Sequence, residues 1–164
     1  MISPDYCQLM ARYNHWMNSR LYALAADMDE EALYGDKGLF FKSVYLTLNH
    51  IMYGDQAFYA RFTRSPEPEA GIGDELYGDF AALQKARQDW DQKLLDWSAQ
   101  LSQDWLNDSV TYTSKVDGKQ RTLAHSLLVT HLFNHQTHHR GQITTVLNQM
   151  GLDIGSTDIP FMPQ

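Results

Sequence analysis

The sequence is poor in cysteine and in basic residues. Cys7 is the only cysteine among 164 residues, so no intrachain disulfide can form. The 13 Lys and Arg residues are outnumbered by 20 Asp and Glu, which gives a formal net charge of −7. Proteins that bind nucleic acid usually carry a basic patch, because neutralising phosphates supplies much of their affinity. We therefore expect no nucleic-acid partner.

Long apolar runs are also missing. A helix needs roughly 18 apolar residues to cross a bilayer, and no stretch of the chain approaches that length. The N-terminus, MISPDYCQLMARYNH, lacks the basic stretch and apolar run of a secretory signal. We expect a cytoplasmic protein without membrane contact.

Most of the chain shows helical spacing, with apolar residues recurring at steps of three and four. The predicted helical segments cover residues 3–28, 40–64, 74–101 and 122–150. No internal repeat or second domain is visible, so residues 1–164 are predicted to form one domain. The predicted fold is all-α, a four-helix bundle in which the loop 67–77 is a crossover connection.

Two other parts of the chain do not follow the helical pattern. Residues 109–122 alternate apolar and polar side chains around Asp117-Gly118, which predicts a small β-hairpin before the last helix. Residues 29–39 are expected to be a connection. The tail 152–164 contains two prolines and is expected to lie extended across the bundle.

A run of histidines, HLFNHQTHHRGQ, occupies residues 131–142 in the last helical segment. At about 100° per residue, His135 and His139 fall in the middle of the stripe that Leu and Val occupy elsewhere on this helix. His131 and His138 fall on the flank of that stripe. The run therefore predicts two inward-facing histidines, one helical turn apart.

The same helical wheel gives an expected role for other residues of this segment. Arg140 falls away from the centre of the stripe and is expected to be an ion-pair or interface residue. Gly141 is expected to let a neighbouring helix approach closely. Gln142 is a candidate to bind a ligand or a metal-bound water. Phe133 and Leu147 lie off the stripe, facing either another helix or a second subunit.

Two imidazoles four residues apart on one helix face can bind a single metal ion. The alternative is that His135 and His139 are neutral core residues, but each unsatisfied buried donor would cost about 1–3 kcal/mol. A third ligand must come from another helix, and His125 is too far along the same helix. His15 and His50 remain, and the wheel favours His50 only slightly.

The sequence lacks the carboxylate patterns of other metal sites in helical proteins. It has neither a Glu-x-x-His pair, typical of di-iron proteins, nor the His-Glu-x-x-His of zinc proteases. A three-histidine site with open positions suits Zn²⁺, Ni²⁺ or Fe²⁺. We therefore expect a divalent metal ion as cofactor.

Three segments, YNHWMNSRL, LNHIMYGDQAFYARF and HLFNHQTHHRGQITTVLNQMG, resemble the DinB (damage-inducible, YfiT-like) family, and the likeness extends over nearly the whole chain. The resemblance implies a four-helix bundle, often a homodimer. It also implies a metal triad of one histidine from the second helix and two from the fourth. In this sequence these are His50, His135 and His139.

The resemblance further implies an activity. The family includes transferases that join small thiols such as bacillithiol or mycothiol to electrophiles, and related hydrolases. We expect a metal-dependent enzyme acting on a small molecule, in stress response or detoxification, with His131, His138 and Gln142 as candidates to assist beside the metal. The alternative is a non-catalytic metal-stabilised bundle or a stress-response binding module.

Overall fold

A computed structural model describes residues 2–163. The mainly helical fold and the small antiparallel hairpin are both confirmed. The elements along the chain are α1 (Pro4–Ala26), α2 (Glu30–Tyr34), α3 (Val44–Thr63), α4 (Phe80–Ser98), α5 (Gln103–Asn107), β1 (Ser109–Thr113), β2 (Gln120–Ala124), α6 (His125–Gln149) and a short 3₁₀ helix (Ile159–Phe161). None of the helices in this described part is long and apolar enough to span a membrane.

Helices α1, α3 and α4 each begin after a residue whose side chain caps them, whereas α6 follows Ala124 without a side-chain cap. Ser3 accepts a hydrogen bond from the backbone N–H of Tyr6, as expected for an N-cap. The prediction that the second helix begins at Phe40 is wrong, because Lys42 adopts a left-handed backbone and Ser43 caps α3. Residues 39–42 form a turn ahead of α3, closed by a hydrogen bond from the N–H of Lys42 to the carbonyl of Leu39.

The third and fourth helical segments also begin later than predicted. Asp74 accepts a hydrogen bond from the N–H of Gly71 within the loop, and Asp79 caps α4 instead. Strand β2 continues to Ala124, so α6 begins at His125 and not at Thr122. In the hairpin, Val110 pairs with Leu123. The expected connection 29–39 contains the short helix α2.

Helix α1 packs against α4 and α6, while α3 packs against α6 and α4. Strand β1 contacts α3 and β2 contacts α6, so the hairpin lies beside the α3–α6 pair. The tail runs along α1, where Tyr13 donates a hydrogen bond to the carbonyl of Thr157. Gln164, the last residue of the predicted tail, lies outside the described residues. Because the hairpin contacts both α3 and α6, it forms one wall of the groove between these two helices.

A buried polar network links these helices inside the core. Arg87 of α4 lies between two carboxylates, with Nη1 2.5 Å from Asp55 Oδ2 and Nη2 2.7 Å from Asp91 Oδ1. Gln136 of α6 donates to Asp55 Oδ1 at 2.6 Å. Arg140, also on α6, donates to Asn14 of α1. Side chains of all four long helices therefore join one set of polar contacts.

Arg140 is placed differently from the wheel prediction. Its side chain is buried, and among the described residues its hydrogen bonds go to Asn14, Asn18 and Thr137. Phe133 and Leu147 are also fully buried within this chain. The face of α6 that enters the core is therefore centred near Gln136, about 100° from His135.

Candidate metal centre

Three histidines from two helices meet at one point of the α3–α6 groove. His50 on α3 and His135 and His139 on α6 each place a ring nitrogen within 4.8 Å of the other two. The Nε2 atoms of His50 and His135 lie 2.9 Å apart. Two nitrogen ligands of a tetrahedral ion, each about 2.0–2.1 Å from it, are about 3.3 Å apart. The cluster therefore has dimensions suited to one divalent ion.

The other two candidates for the third ligand lie elsewhere. His15 is exposed, and its Nδ1 is 3.9 Å from Asp91 Oδ2 on the α1–α4 side. His125 is buried, stacks on Trp105 at 4.0 Å between ring centroids, and has Nδ1 2.8 Å from the Trp105 carbonyl oxygen. Neither residue reaches the histidine cluster. His50 of α3 is therefore the third histidine of the group.

Gly54 makes room for the cluster. It follows His50 by one helical turn on α3 and faces the His135 ring. A Cβ atom on residue 54 would lie 2.6 Å from His135 Cε1 and 2.9 Å from its Nδ1, well inside van der Waals contact. The close approach expected at Gly141 is wrong, because a Cβ there would meet no described atom within 4 Å.

The histidines of the cluster are held in their neutral, metal-binding form. Burial, with a smaller effect from the neighbouring His139 ring, lowers the pKa of His50 to about 4 and that of His135 to about 3. Burial also lowers the pKa of His139. Since metal ligation requires unprotonated imidazole nitrogens, these rings are ready to bind an ion at neutral pH.

The hydrogen bonds of the cluster also fit a cation. When two Nε2 atoms face each other, one must donate and the other accept. The Nδ1 atoms of His50 and His135 have no hydrogen-bond partner among the described residues, so no protein group fixes which nitrogen of either ring carries the proton. A cation in the cluster would accept the lone pairs of both Nε2 atoms.

Gln142 orients the third histidine. Its Oε1 accepts a hydrogen bond from Nδ1 of His139 at 2.8 Å. Because an amide oxygen can only accept, the proton of His139 is on Nδ1 and its Nε2 carries the free lone pair. Such a partner is a common feature of metal-binding histidines. The spacing of three residues on one helix was a sequence signal for this contact.

A cavity of about 520 Å³ opens beside the cluster, within the size range of small-molecule sites. His131 and His138 also line this cavity, with ring centroids 5.8 Å from that of His135 and 4.8 Å from that of His139, respectively. Neither belongs to the group whose nitrogen atoms converge. Aromatic side chains form much of the remaining wall, namely Phe40, Phe41, Tyr53, Phe58 and Tyr112. Phe41 stacks on His50 at 3.8 Å, a contact that sequence reasoning missed.

The lone thiol takes no part in this site. Cys7 is fully buried in the core on α1, and burial raises its pKa to about 11. A thiol in this state is neither a nucleophile nor a metal ligand near neutral pH. Any thiol chemistry at the cavity must therefore use a thiol from outside the chain.

The whole sequence matches one family of known proteins. The model of the DinB family matches residues 1–164. The chain belongs to the DinB family. It is 24% identical over 160 residues to Protein DinB of Bacillus subtilis (strain 168), a match that covers 94% of this chain and 91% of that protein. DinB membership and the three-histidine cluster are together compatible with metal binding.

Proposed function

We propose that this DinB-family protein is a divalent-metal-dependent enzyme that acts on a small molecule, as a thiol-dependent S-transferase or a hydrolase. The observation that carries the proposal is the convergence of three imidazoles beside a cavity of about 520 Å³. No carboxylate or thiol joins the group within residues 2–163. Structural zinc sites normally have four protein ligands, so three ligands beside a cavity favour a reactive site.

The proposed metal ligands are His50, His135 and His139, and the ion is Zn²⁺, Ni²⁺ or Fe²⁺. A divalent ion held there would supply a Lewis acid that activates a nucleophile near neutral pH. Gln142 holds the His139 ring in its ligating tautomer. Burial and the charge of Arg61 lower the pKa of His131, so this ring is available to accept a proton at the cavity wall. His138 is a second candidate for that role.

We extend the proposal to the scaffold and its partners. The contacts among α1, α3, α4 and α6 support a four-helix bundle in which the segment between α3 and α4 is the crossover connection. The proposed substrate is a small molecule such as a low-molecular-weight thiol, and the proposed state is a cytoplasmic homodimer. Size-exclusion chromatography with light scattering tests the dimer.

Metal content is the first test of this function. Protein purified anaerobically should contain about one equivalent of divalent metal by elemental analysis. His135→Ala and His139→Ala should both lose that metal, because two neutral ligands rarely hold an ion. His138→Ala is the matched control, since this ring lies outside the cluster, and it should keep the metal. A full equivalent retained in both ligand variants would refute the site.

The second test concerns the reaction. The protein is offered a series of low-molecular-weight thiols with an electrophilic fluorogenic probe, and a series of activated esters and amides. Turnover that requires the metal and is absent in His135→Ala supports the enzyme. A large rise in melting temperature on metal addition, without turnover of any of these compounds, would support the non-catalytic alternative instead.

A further inference from the structure

The cavity beside the histidines has a second polar end. Arg61, near the end of α3, and Lys115, in the hairpin loop, both line it. Its lining within the described chain contains neither Asp nor Glu, although the protein as a whole carries a formal charge of −7. This cavity is therefore positively charged in a negatively charged molecule.

The two polar ends are separated along the groove. Arg61 follows His50 by eleven positions on α3, which corresponds to about 16 Å along the helix axis. Aromatic rings lie between them: His131 contacts Phe58 at 4.8 Å between centroids, and the Arg61 guanidinium lies 4.8 Å from the Phe58 centroid. The same guanidinium is 4.5 Å from the centroid of the Tyr112 ring.

The two cations share one carboxylate outside the cavity, and Lys115 Nζ also donates a hydrogen bond to the Pro68 carbonyl at 2.8 Å. Glu67 Oε1 accepts from Arg61 Nε at 3.0 Å, and Oε2 lies 3.5 Å from Lys115 Nζ. Glu67 is not among the residues that line the cavity. One negative charge thus faces two positive charges, which leaves an excess of one positive charge beside the cavity. The Arg61 side chain is only 11% exposed, so water screens it weakly.

The rim of the cavity is apolar and open to solvent. Phe40 is 82% exposed and Val116 is 80% exposed, and both line the cavity. Exposed apolar groups that border a pocket are typical of ligand-binding surfaces. A ligand with an apolar body would cover these side chains and the Phe58 ring.

We propose that the ligand of this cavity is an elongated amphipathic anion, whose carboxylate or phosphate is bound by Arg61 and Lys115 and whose apolar body lies on the aromatic wall and reaches the histidines. The proposal names the substrate class for the function proposed above and rests on it for the reactive end. The anion subsite itself is a property of Arg61 and Lys115, and it can be tested without the metal.

The test uses fluorescent probes that share one apolar body and differ in the end group: pyrenebutyrate, pyrenebutyl phosphate, pyrenebutanol and pyrenebutylamine. Their dissociation constants are measured by fluorescence anisotropy, with the zinc-loaded protein and with chelator-treated protein. A charge-assisted pair should make at least one anion bind about tenfold more tightly than the alcohol. The amine should bind more weakly than the alcohol, and the stronger anion identifies the head group.

Paired variants locate the subsite. The double variant Arg61→Gln/Lys115→Gln should lose the preference for the anion and keep the affinity for pyrenebutanol. The matched control is Arg64→Gln/Lys119→Gln, which removes the same charge from the same helix end and the same hairpin loop. Both of its residues are exposed and lie outside the cavity lining, so the preference should remain.

Glu67→Gln provides a test that does not remove a cation. It frees both Arg61 and Lys115 from their carboxylate, so the anionic probes should bind several-fold more tightly while pyrenebutanol is unaffected. The anion subsite can therefore be tested with Glu67→Gln even if the double variant Arg61→Gln/Lys115→Gln is too unstable to measure. Unchanged or weaker binding of the anions to Glu67→Gln would contradict the proposal.

The outcomes separate the two proposals. An anion preference that persists after chelation and is lost in Arg61→Gln/Lys115→Gln supports the subsite, whether or not zinc binds. A preference that requires zinc and survives the double variant places the anion at the histidines and overturns the subsite. Equal binding of the anions and the alcohol also overturns it. Failure of the metal proposal is seen separately, in the metal content of the protein.

Discussion

The absence of a side chain at Gly54 determines where the His135 ring lies. The ring occupies the space that a side chain at Gly54 would fill, and this brings its Nε2 to 2.9 Å from that of His50. The conflict that a Cβ atom would create is with the end of a flexible side chain, so the ring could rotate away at little cost to the fold. The glycine therefore serves the cluster more than it serves the packing.

Gly54→Ala should separate metal affinity from stability. We expect zinc affinity to fall at least about tenfold, because the displaced His135 ring no longer faces His50. The metal-free protein should be as stable as the parent or gain up to about 1 kcal/mol, since alanine favours the helix. Zinc titration by calorimetry and urea unfolding measure the two effects.

The control for this prediction is Gly141→Ala on α6, where an added Cβ meets open space. It should gain similar helix propensity and keep the zinc affinity of the parent. Parental zinc affinity in Gly54→Ala would show that His135 does not need the space beside residue 54.

Gln142 should matter for affinity without being a ligand. Gln142→Leu removes the acceptor for His139 Nδ1–H, so the ring loses its fixed orientation and tautomer. We expect zinc to bind about tenfold to a hundredfold more weakly, still at one equivalent. A drop in stoichiometry to zero, or unchanged affinity, would be inconsistent with an orienting role.

At the level of elements, Asp55 and Gln136 fix how α6 lies against α3. Each is next to a residue of the site in sequence: Asp55 follows Gly54, and Gln136 follows His135. Asp55 also pairs with Arg87 of α4, and both side chains are almost completely buried. The rotation of α6 that presents its histidines to the groove is therefore set by polar contacts in the core.

Asp55→Asn should be strongly destabilising. It leaves Arg87 with one of its two buried carboxylates, and breaking a buried ion pair typically costs about 3–5 kcal/mol. Asp89→Asn on α4 is the matched control, because Asp89 pairs with Lys85 on the exposed surface and should contribute less than about 1 kcal/mol. The free energy of unfolding in urea measures both, and equal losses would contradict the importance of the buried pair.

The sequence pattern predicted the helical class, the hairpin and the pairing of His135 with His139, whereas the choice of His50 over His15 came from the resemblance to the DinB family. Periodicity is a strong signal over long helices, but their first residues depend on which of several polar side chains caps the helix. Asp74 and Asp79 were both plausible caps for α4, and only the path of the preceding loop favours Asp79. The helical wheel of α6 placed the centre of the buried face too close to His135, because Gln136 and Arg140 are polar yet buried. Their partners lie on other helices, so no local pattern in α6 could have revealed them.

At the scale of the whole molecule, the histidine cluster links stability to pH. In the metal-free protein His50 and His135 have pKa values of about 4 and about 3, whereas an unfolded histidine titrates near about 6.5. Between these values the unfolded chain binds more protons than the folded one, so acid favours unfolding. This contribution to stability is present above about pH 6.5 and is lost as the pH falls toward the folded pKa values.

Thermal unfolding in the presence of a chelator should show this linkage. We expect the melting temperature of the metal-free protein to fall as the pH is lowered from about 6.5 to about 4. In His50→Gln/His135→Gln, the decline should be smaller over the same interval, since neither glutamine titrates. Identical pH profiles for the two proteins would show that these histidines are not the source.

The wall of the cavity is built from two kinds of structure, packed helices and a hairpin loop. The histidines stand on two packed helices, whereas Lys115 and Val116 belong to a loop that connects two short strands. Loops of this kind accept changes of sequence that helices in a core do not. In a directed-evolution library confined to that loop, we therefore expect the wall of the cavity to vary while the histidine cluster on the two helices stays unchanged.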